Sequence, residues 1–272
     1  MEYSKADLEN VRRIELEILQ EIMRICNAHS IPYFAVGGTA LGAVRHNGFI
    51  PWDDDIDIGM MREDYEKFLE VARTDLNSEY DLVHYSTYED HPVYFAKIKK
   101  KGTLFVEKGV NKLKIPKGIF VDIMPYDYCP SNPKKQRQFV RKTIFLNNLF
   151  VTKTTSISTF ERNKVKRFVK TVIRKVLHCI LLAVPKRYLY KKLDTHLKKY
   201  SQGPREYVCQ NKFMNTITRF DNIFPTSTHV FEGLEISMPG NQDAFLRGYF
   251  GNYMQLPPEN KRITHSPELL KY

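Results

Sequence analysis

Apolar residues recur every three or four positions near the start of the chain, at Val11, Ile14, Ile18, Ile22 and Ile25. This predicts an amphipathic helix over residues 4 to 28 with Ser4 as its N-cap. Pro32 then opens a short apolar run, PYFAV, which Gly37 and Gly38 end abruptly before TALGAVRH resumes a helical pattern. The expected order is strand, glycine turn, helix. Asn47 and Gly48 break that helix, and DIDIGM alternates polar and apolar positions as a second strand does. If this strand begins early, Asp53, Asp55 and Asp57 project to one face, and Asp54, Ile56 and Ile58 to the other. A helix from about Arg62 to Leu76 follows, with Tyr65, Phe68, Leu69 and Ala72 on its inner stripe.

Further strands are expected in VYFAKIKKKGTLFVE, where KKG reads as a hairpin turn, and in GIFVDIMPY, completing a small mixed sheet. After SNPKK the character changes to a long helical region that runs to roughly Tyr200. The tail carries a strand-like FEGLEISM, a helix from about Asn241 that stops at Gly251, and the proline-bounded loop LPPENKRITH. The fold class is therefore α/β. Its expected division is a mixed-sheet core over residues 1–133, a basic helical region over 134–206, and a C-terminal segment over 207–272. There is no internal repeat.

Composition sharpens this picture in two places. The net charge is +11, yet residues 134 to 199 hold 19 Lys and Arg against only Glu161 and Asp194, so the rest of the chain is net acidic. Any argument about an anionic partner belongs to that segment alone. The four cysteines are far apart with no CxxC spacing, which indicates neither a zinc knuckle nor a disulfide framework and fits a reducing, cytoplasmic setting. The N-terminal helix lacks the apolar core of a signal peptide, and the longest apolar run, CILLAV, is far short of the roughly 20 residues that span a bilayer. A soluble or peripheral protein is expected.

The candidate chemistry sits in GGTALGAVRHNGFIPWDDDIDIGM. Two carboxylates at i and i+2 of a strand point the same way, about 7 Å apart, and converge on one cation. Asp55 and Asp57 have that spacing. Such hard oxygen ligands suit Mg²⁺ or Mn²⁺, which bring substrate phosphates with them. Backbone N–H groups of the helix that starts at Gly37 and Gly38 would face an anion, helped by the helix dipole. An Asp-rich loop alone is commonly solvated surface, and a glycine pair alone is commonly a turn. Their adjacency argues for a site, as does repulsion among four acids that only a cation or basic groups relieve. Asp122, flanked by apolar residues, lies either on the solvent face of an edge strand or buried for a reason; beside metal candidates the second reading is preferred.

These motifs, with the tail YFGNYMQLPPENKR, resemble the LicD family of phosphotransferases, whose best-known members handle phosphocholine, and their order covers nearly the whole chain. More distantly they are similar to the nucleotidyltransferase superfamily. The sixteen residues between Gly38 and Asp55 exceed that superfamily's usual spacing but match LicD-like proteins. The resemblance implies a nucleotidyltransferase-like mixed sheet flanked by helices, with residues 1–133 as the catalytic core and residues 207–272 completing the substrate site. It implies metal-dependent transfer of a phospho-substituent, first of all phosphocholine from CDP-choline. The acceptor would be a hydroxyl of a cell-surface glycan or its lipid-linked precursor, of teichoic acid, lipopolysaccharide or capsule type.

On this resemblance Gly37, Gly38 and Thr39 would cradle the donor's phosphates. Asp55 and Asp57 would hold the metal, and Asp122 would complete the metal site or accept the acceptor's proton. Arg45 and His46 would neutralise a diphosphate or simply end their helix, and Lys97 would bind phosphate or be merely exposed. Arg262 and His265 would reach substrate or remain on a surface loop. One alternative is a nucleotidyl, alditol-phosphate or sugar-phosphate transferase using the same site. Another, of a different class, is a non-catalytic membrane or polyanion adaptor.

Within the basic segment Phe168, Val172, Ile173, Val176, Leu177 and Ile180 recur at helical spacing among Lys and Arg. Such a helix either lies in an anionic membrane interface, on the inner face of the membrane, or packs its stripe in a core and solvates its basic face. A nucleic-acid partner is not expected, since interleaved aromatics and a binding motif are both lacking.

Overall fold

In the computed structural model, the described residues are 4–155, 164–210, 216–262, 264 and 266–272. Helix α1 (Lys5–Ala28) starts where the sequence places it. Ser4 accepts from the Asp7 N–H while Asp7 reaches back to the Ser4 N–H, and Val11, Ile14, Ile18, Ile22 and Ile25 are all buried. Strand β1 (Phe34–Ala35) leads directly into α2 (Gly37–His46), which ends at Asn47 in the left-handed region. Strand β2 (Asp57–Met61) is followed at once by α3 (Arg62–Asp75). Then come β3 (Tyr80–Val83), β4 (Ala96–Lys100), β5 (Leu104–Val106) and the ten-residue β6 (Phe120–Cys129).

Strand β6 is the spine of a mixed sheet in the order β1-β2-β6-β4-β3. Its first half pairs in parallel with β2 and antiparallel with β4, and its second half pairs with β7 (Tyr207–Gln210), which carries β8 (Thr218–Arg219). Ile18, Ile22, Phe34, Ile58, Met60, Phe68, Ile98, Val121 and Ile123 join in one core of the sheet with α1 and α3. A second core lies under α4 (Pro133–Thr154) and α6 (Lys186–Leu197), built on Phe139, Phe150, Leu189, Leu193 and Leu197. Helix α5 (Lys164–Leu181) comes between them in sequence and packs against α4. The tail forms the hairpin β9 (Ser227–Phe231) and β10 (Leu234–Met238), then α7 (Gln242–Phe250), capped by Asn241 and stopped at Gly251, and finally β11 (Leu269–Lys271).

Two local expectations are corrected. The KKG sequence does turn the chain, with Gly102 at φ +79°, but β4 and β5 form no hairpin. Both edges of β4 are taken, by β3 and β6, so β5 pairs instead with β11 from the tail. The strand expected from DIDIGM begins only at Asp57, which leaves Asp53 and Asp55 in the preceding loop.

Candidate active site

The loop of acids is shaped from behind by α1. The Asp53 N–H donates to the Ile50 carbonyl at 2.9 Å, closing a turn. The Arg12 guanidinium then donates to the same Ile50 carbonyl at 2.7 Å and to the Asp53 carbonyl at 3.0 and 2.7 Å. Backbone groups engaged in this way cannot join a strand ladder, so the strand starts late.

The loop nevertheless brings its carboxylates to the glycine turn. A Cβ on Gly37 would lie 3.1 Å from Asp57 Oδ2, and one on Gly38 only 2.2 Å from Asp53 Oδ2. Gly37 also has φ +55°, a conformation that side chains disfavour. Both glycines are therefore required by the close approach of two carboxylates to the first turn of α2. The buried Thr39 hydroxyl accepts from the Asp57 N–H at 2.8 Å, which fixes the start of β2 to the same turn.

Sheet register supplies the rest. Asp57 stands beside Asp122 on β6, and Asp122 beside Lys97 on β4, so the three occupy one row across three strands. Asp122 is buried on a central strand, as preferred from the sequence. Lys97 is not exposed: only 4% of it is accessible, with Nζ 2.9 Å from Asp122 Oδ1, 3.5 Å from Glu107 Oε2 and 3.3 Å from the Phe120 ring centroid.

The charges are unevenly matched. Burial pushes the Asp57 carboxyl well above its ordinary value, and the charges of Asp55, Asp122 and Asp53 add to this against the opposing pull of Lys97. Burial also raises Asp122, to about 6 despite the contact with Lys97. Burial pulls the Lys97 ammonium down, but Asp122 and Glu107 outweigh it and hold its pKa above the usual lysine value. The whole is a buried, acid-rich row with one strongly paired base.

Asp55 and Asp57 are the hard, anionic oxygen donors that a divalent cation requires. Among the described residues no three His, Cys, Asp or Glu side chains already converge as a complete metal cage, and Asp122 is engaged by Lys97. Magnesium is commonly held by one or two carboxylates, with substrate phosphates and water completing its shell, so the donor set fits such an ion.

Comparison with known proteins bears on what this row is for. Residues 30–185 match the family described as LicD/FKTN/FKRP, nucleotidyltransferase domain, a span that includes the glycine turn, the acid loop, Lys97 and Asp122. The chain belongs to the LicD family. It is 28% identical over 275 residues to the lipopolysaccharide cholinephosphotransferase LicD of Haemophilus influenzae, covering 96% of each protein. Over 48 residues it is 40% identical to the ribitol 5-phosphate transferase FKRP of Homo sapiens and of Mus musculus, covering 18% of this chain and 10% of theirs. This LicD-family chain is accordingly an enzyme of the phosphotransferase kind.

The other residues expected at the site divide. Arg45 and His46 lie at the opposite end of α2, about 12 Å along its axis from Gly37 by helix rise. There Arg45 donates to the Tyr253 carbonyl at 2.8 Å and to the His46 ring at 3.0 Å, pinning the tail to the helix, while burial and then Arg45 lower the His46 pKa. Arg262 comes to the acid loop from the tail: its guanidinium lies 4.9 Å over the Trp52 ring, one residue before Asp53. His265 lies outside the described residues. Sequence reasoning missed Arg12, and it missed Glu15, a buried acid of α1 pushed well up by burial and then by Asp55, Asp54 and Asp53. It also missed Lys99, which is buried on β4 and lowered to about 8 by burial and Lys97. The period-two relation of Lys97 to Lys99 was the available signal.

Proposed function

We propose that this protein transfers phosphocholine from CDP-choline to a hydroxyl of a cell-surface glycan or its lipid-linked precursor, and that the reaction needs Mg²⁺ or Mn²⁺. The observation that carries the proposal is the buried row of Asp57, Asp122 and Lys97 against the Gly37–Gly38 turn, in a chain similar over 96% of its length to a lipopolysaccharide cholinephosphotransferase. The work would take place at the inner, cytoplasmic face of a membrane.

In this reading Asp55 and Asp57 hold the cation, which when bound supplies charge neutralisation for the donor's diphosphate. Thr39 fixes the Asp57 backbone, and Arg12 fixes the loop that carries Asp55. The acceptor hydroxyl oxygen attacks the phosphorus that bears choline, the bond from that phosphorus to the bridging oxygen breaks, and CMP leaves with the electron pair. Asp122 takes the hydroxyl proton. A carboxyl raised to about 6 serves as a base near neutral pH, and Lys97 holds it in place.

The 48-residue similarity to ribitol 5-phosphate transferases favours an alditol phosphate as the second candidate for the transferred group, on the same site. Incubation of the purified chain with CDP-choline, CDP-ribitol or neither, with Mg²⁺ or Mn²⁺ and acceptor glycan, tests both. Mass spectrometry of the product distinguishes phosphocholine, ribitol phosphate and nucleotide transfer. CMP release that survives Asp55→Asn and Asp57→Asn would overturn the metal assignment. The absence of CMP release from either donor would overturn both candidates for the transferred group.

A further inference from the structure

Helix α5 is amphipathic in the wrong sense for a helix that serves the core. Its polar side faces inward: Arg174 donates to the Thr155 carbonyl at 3.3 Å, and the His178 ring meets the Thr152 carbonyl at 2.8 Å, both at the end of α4. Leu181 is buried and Leu177 packs beside it, on that same inner side. At 100° per residue the opposite side carries Phe168, Val172, Ile173, Val176 and Ile180, and Leu182 follows just past the helix. These six side chains are between 44% and 70% exposed. A continuous apolar stripe on a helix of 18 residues has been turned to the outside.

We infer that this stripe is an in-plane anchor that docks the enzyme on an anionic lipid bilayer. Charge selects the occupant. Lys175, exposed, adjoins the stripe on α5 by helix geometry, and Arg187, Lys191 and Lys192 are exposed on the next helix, α6, in a segment with 19 basic residues against two acids. This basic surface matches a negatively charged headgroup layer, and it repels a second copy of itself. Among the described residues no helix is long and apolar enough to cross a membrane, so α5 lies along the interface, with its stripe about 5–10 Å into the headgroup and acyl boundary. The alternative of a core-packed stripe is excluded by the exposure itself. The inference goes beyond the proposed reaction and does not depend on it, although it would bring the enzyme to a lipid-linked acceptor.

The test is co-sedimentation of the full chain with vesicles of phosphatidylcholine alone or of phosphatidylcholine mixed with phosphatidylglycerol, without donor or acceptor. Binding to the anionic vesicles, falling several-fold as salt is raised, is expected. The triple variant Phe168→Ser, Ile173→Ser, Ile180→Ser should lose at least about tenfold in partitioning while keeping its circular dichroism and melting curve, since these side chains stand at the surface. Lys175→Glu with Lys191→Glu should weaken anionic binding and leave zwitterionic binding unchanged. Equal binding to both vesicle types, or a triple variant that partitions like the wild type, would overturn the inference. So would sedimentation velocity in which the wild type is a dimer and the triple variant a monomer, because the stripe would then be a self-contact. Vesicle binding is read without turnover, so its failure leaves the phosphotransfer reading intact, and absent CMP release leaves the anchor intact.

Discussion

Replacing Asp57 by Asn should make the metal-free protein more stable while abolishing its reaction. The carboxylate is buried among Asp55, Asp122 and Asp53, with Lys97 opposing them, and its folded-state pKa lies well above the unfolded 3.8. Each unit by which the folded-state pKa exceeds the unfolded one costs the ionised folded chain about 1.4 kcal/mol, so burial of this carboxylate among other acids is a net cost above the unfolded pKa. An amide has nearly the same shape, keeps the Asp57 N–H bond to Thr39 and carries no such cost. Allowing for relaxation of the neighbouring acids, we expect a gain of about 2 kcal/mol, which at this chain length raises the melting temperature by about 4–8 °C. The sign with pH is fixed. Because the folded pKa is the higher one, the folded chain binds the extra proton, so wild-type stability falls as pH rises above about 4 and the advantage of Asn grows with it. Differential scanning calorimetry at a series of pH values, without divalent metal, measures this. A variant that melts below wild type at pH 7, or a gain that persists undiminished at pH 4, would refute the reasoning. CMP release by the same variant should fall at least about a hundredfold.

Three further outcomes follow from the same geometry. Gly38→Ala places a methyl 2.2 Å from Asp53 Oδ2 and must displace that carboxylate, so turnover should fall about tenfold or more in steady-state assays while the melting temperature moves by only a few degrees. Arg12→Met removes the donors that hold the Ile50 and Asp53 carbonyls; urea titration should register a loss of about 2–3 kcal/mol, and kcat should fall with it. Arg62→Met leaves Asp127 buried without the guanidinium that meets it at 2.8 and 2.5 Å, a loss of about 3–5 kcal/mol by urea titration. Adding Asp127→Asn to that variant should restore part of the loss.

The parts of the fold that were legible in the sequence are those whose signal is local. The α1 stripe and cap, the glycine turn, and an acid within the apolar strand that became β6 all follow from periodicity or from one residue of unusual type. The late start of β2 was hidden because Arg12, whose bonds hold the acid loop, sits 41 residues upstream of Asp53 in a helix that reads as ordinary. The supposed hairpin failed for a related reason: a glycine turn is written locally, but the occupancy of both edges of β4 is not. Burial of Lys97 was equally invisible, since Lys in an exposed strand and Lys paired across a register to Asp122 have the same sequence pattern. The fate of the α5 stripe had two readings from periodicity, which gives the angle between faces and not which face the protein turns outward.

The tail's grip on the site has a consequence for how the enzyme comes into being. Tyr253 clasps Arg45 across 208 residues of sequence, Glu232 accepts from the Phe49 N–H across 183, and Arg262 covers Trp52 from a similar distance. Closing a loop of about 200 residues costs about 5 kcal/mol of chain entropy beyond a constant, which no contact made early in synthesis can offset. A ribosome that has delivered every carboxylate of the row has therefore yet to deliver the tail contacts that hold α2 and the acid loop from the other side. Those contacts form only when α7 and the loop beyond it settle onto residues made more than 180 positions earlier, so a chain cut short before that point should melt at a lower temperature than the full chain.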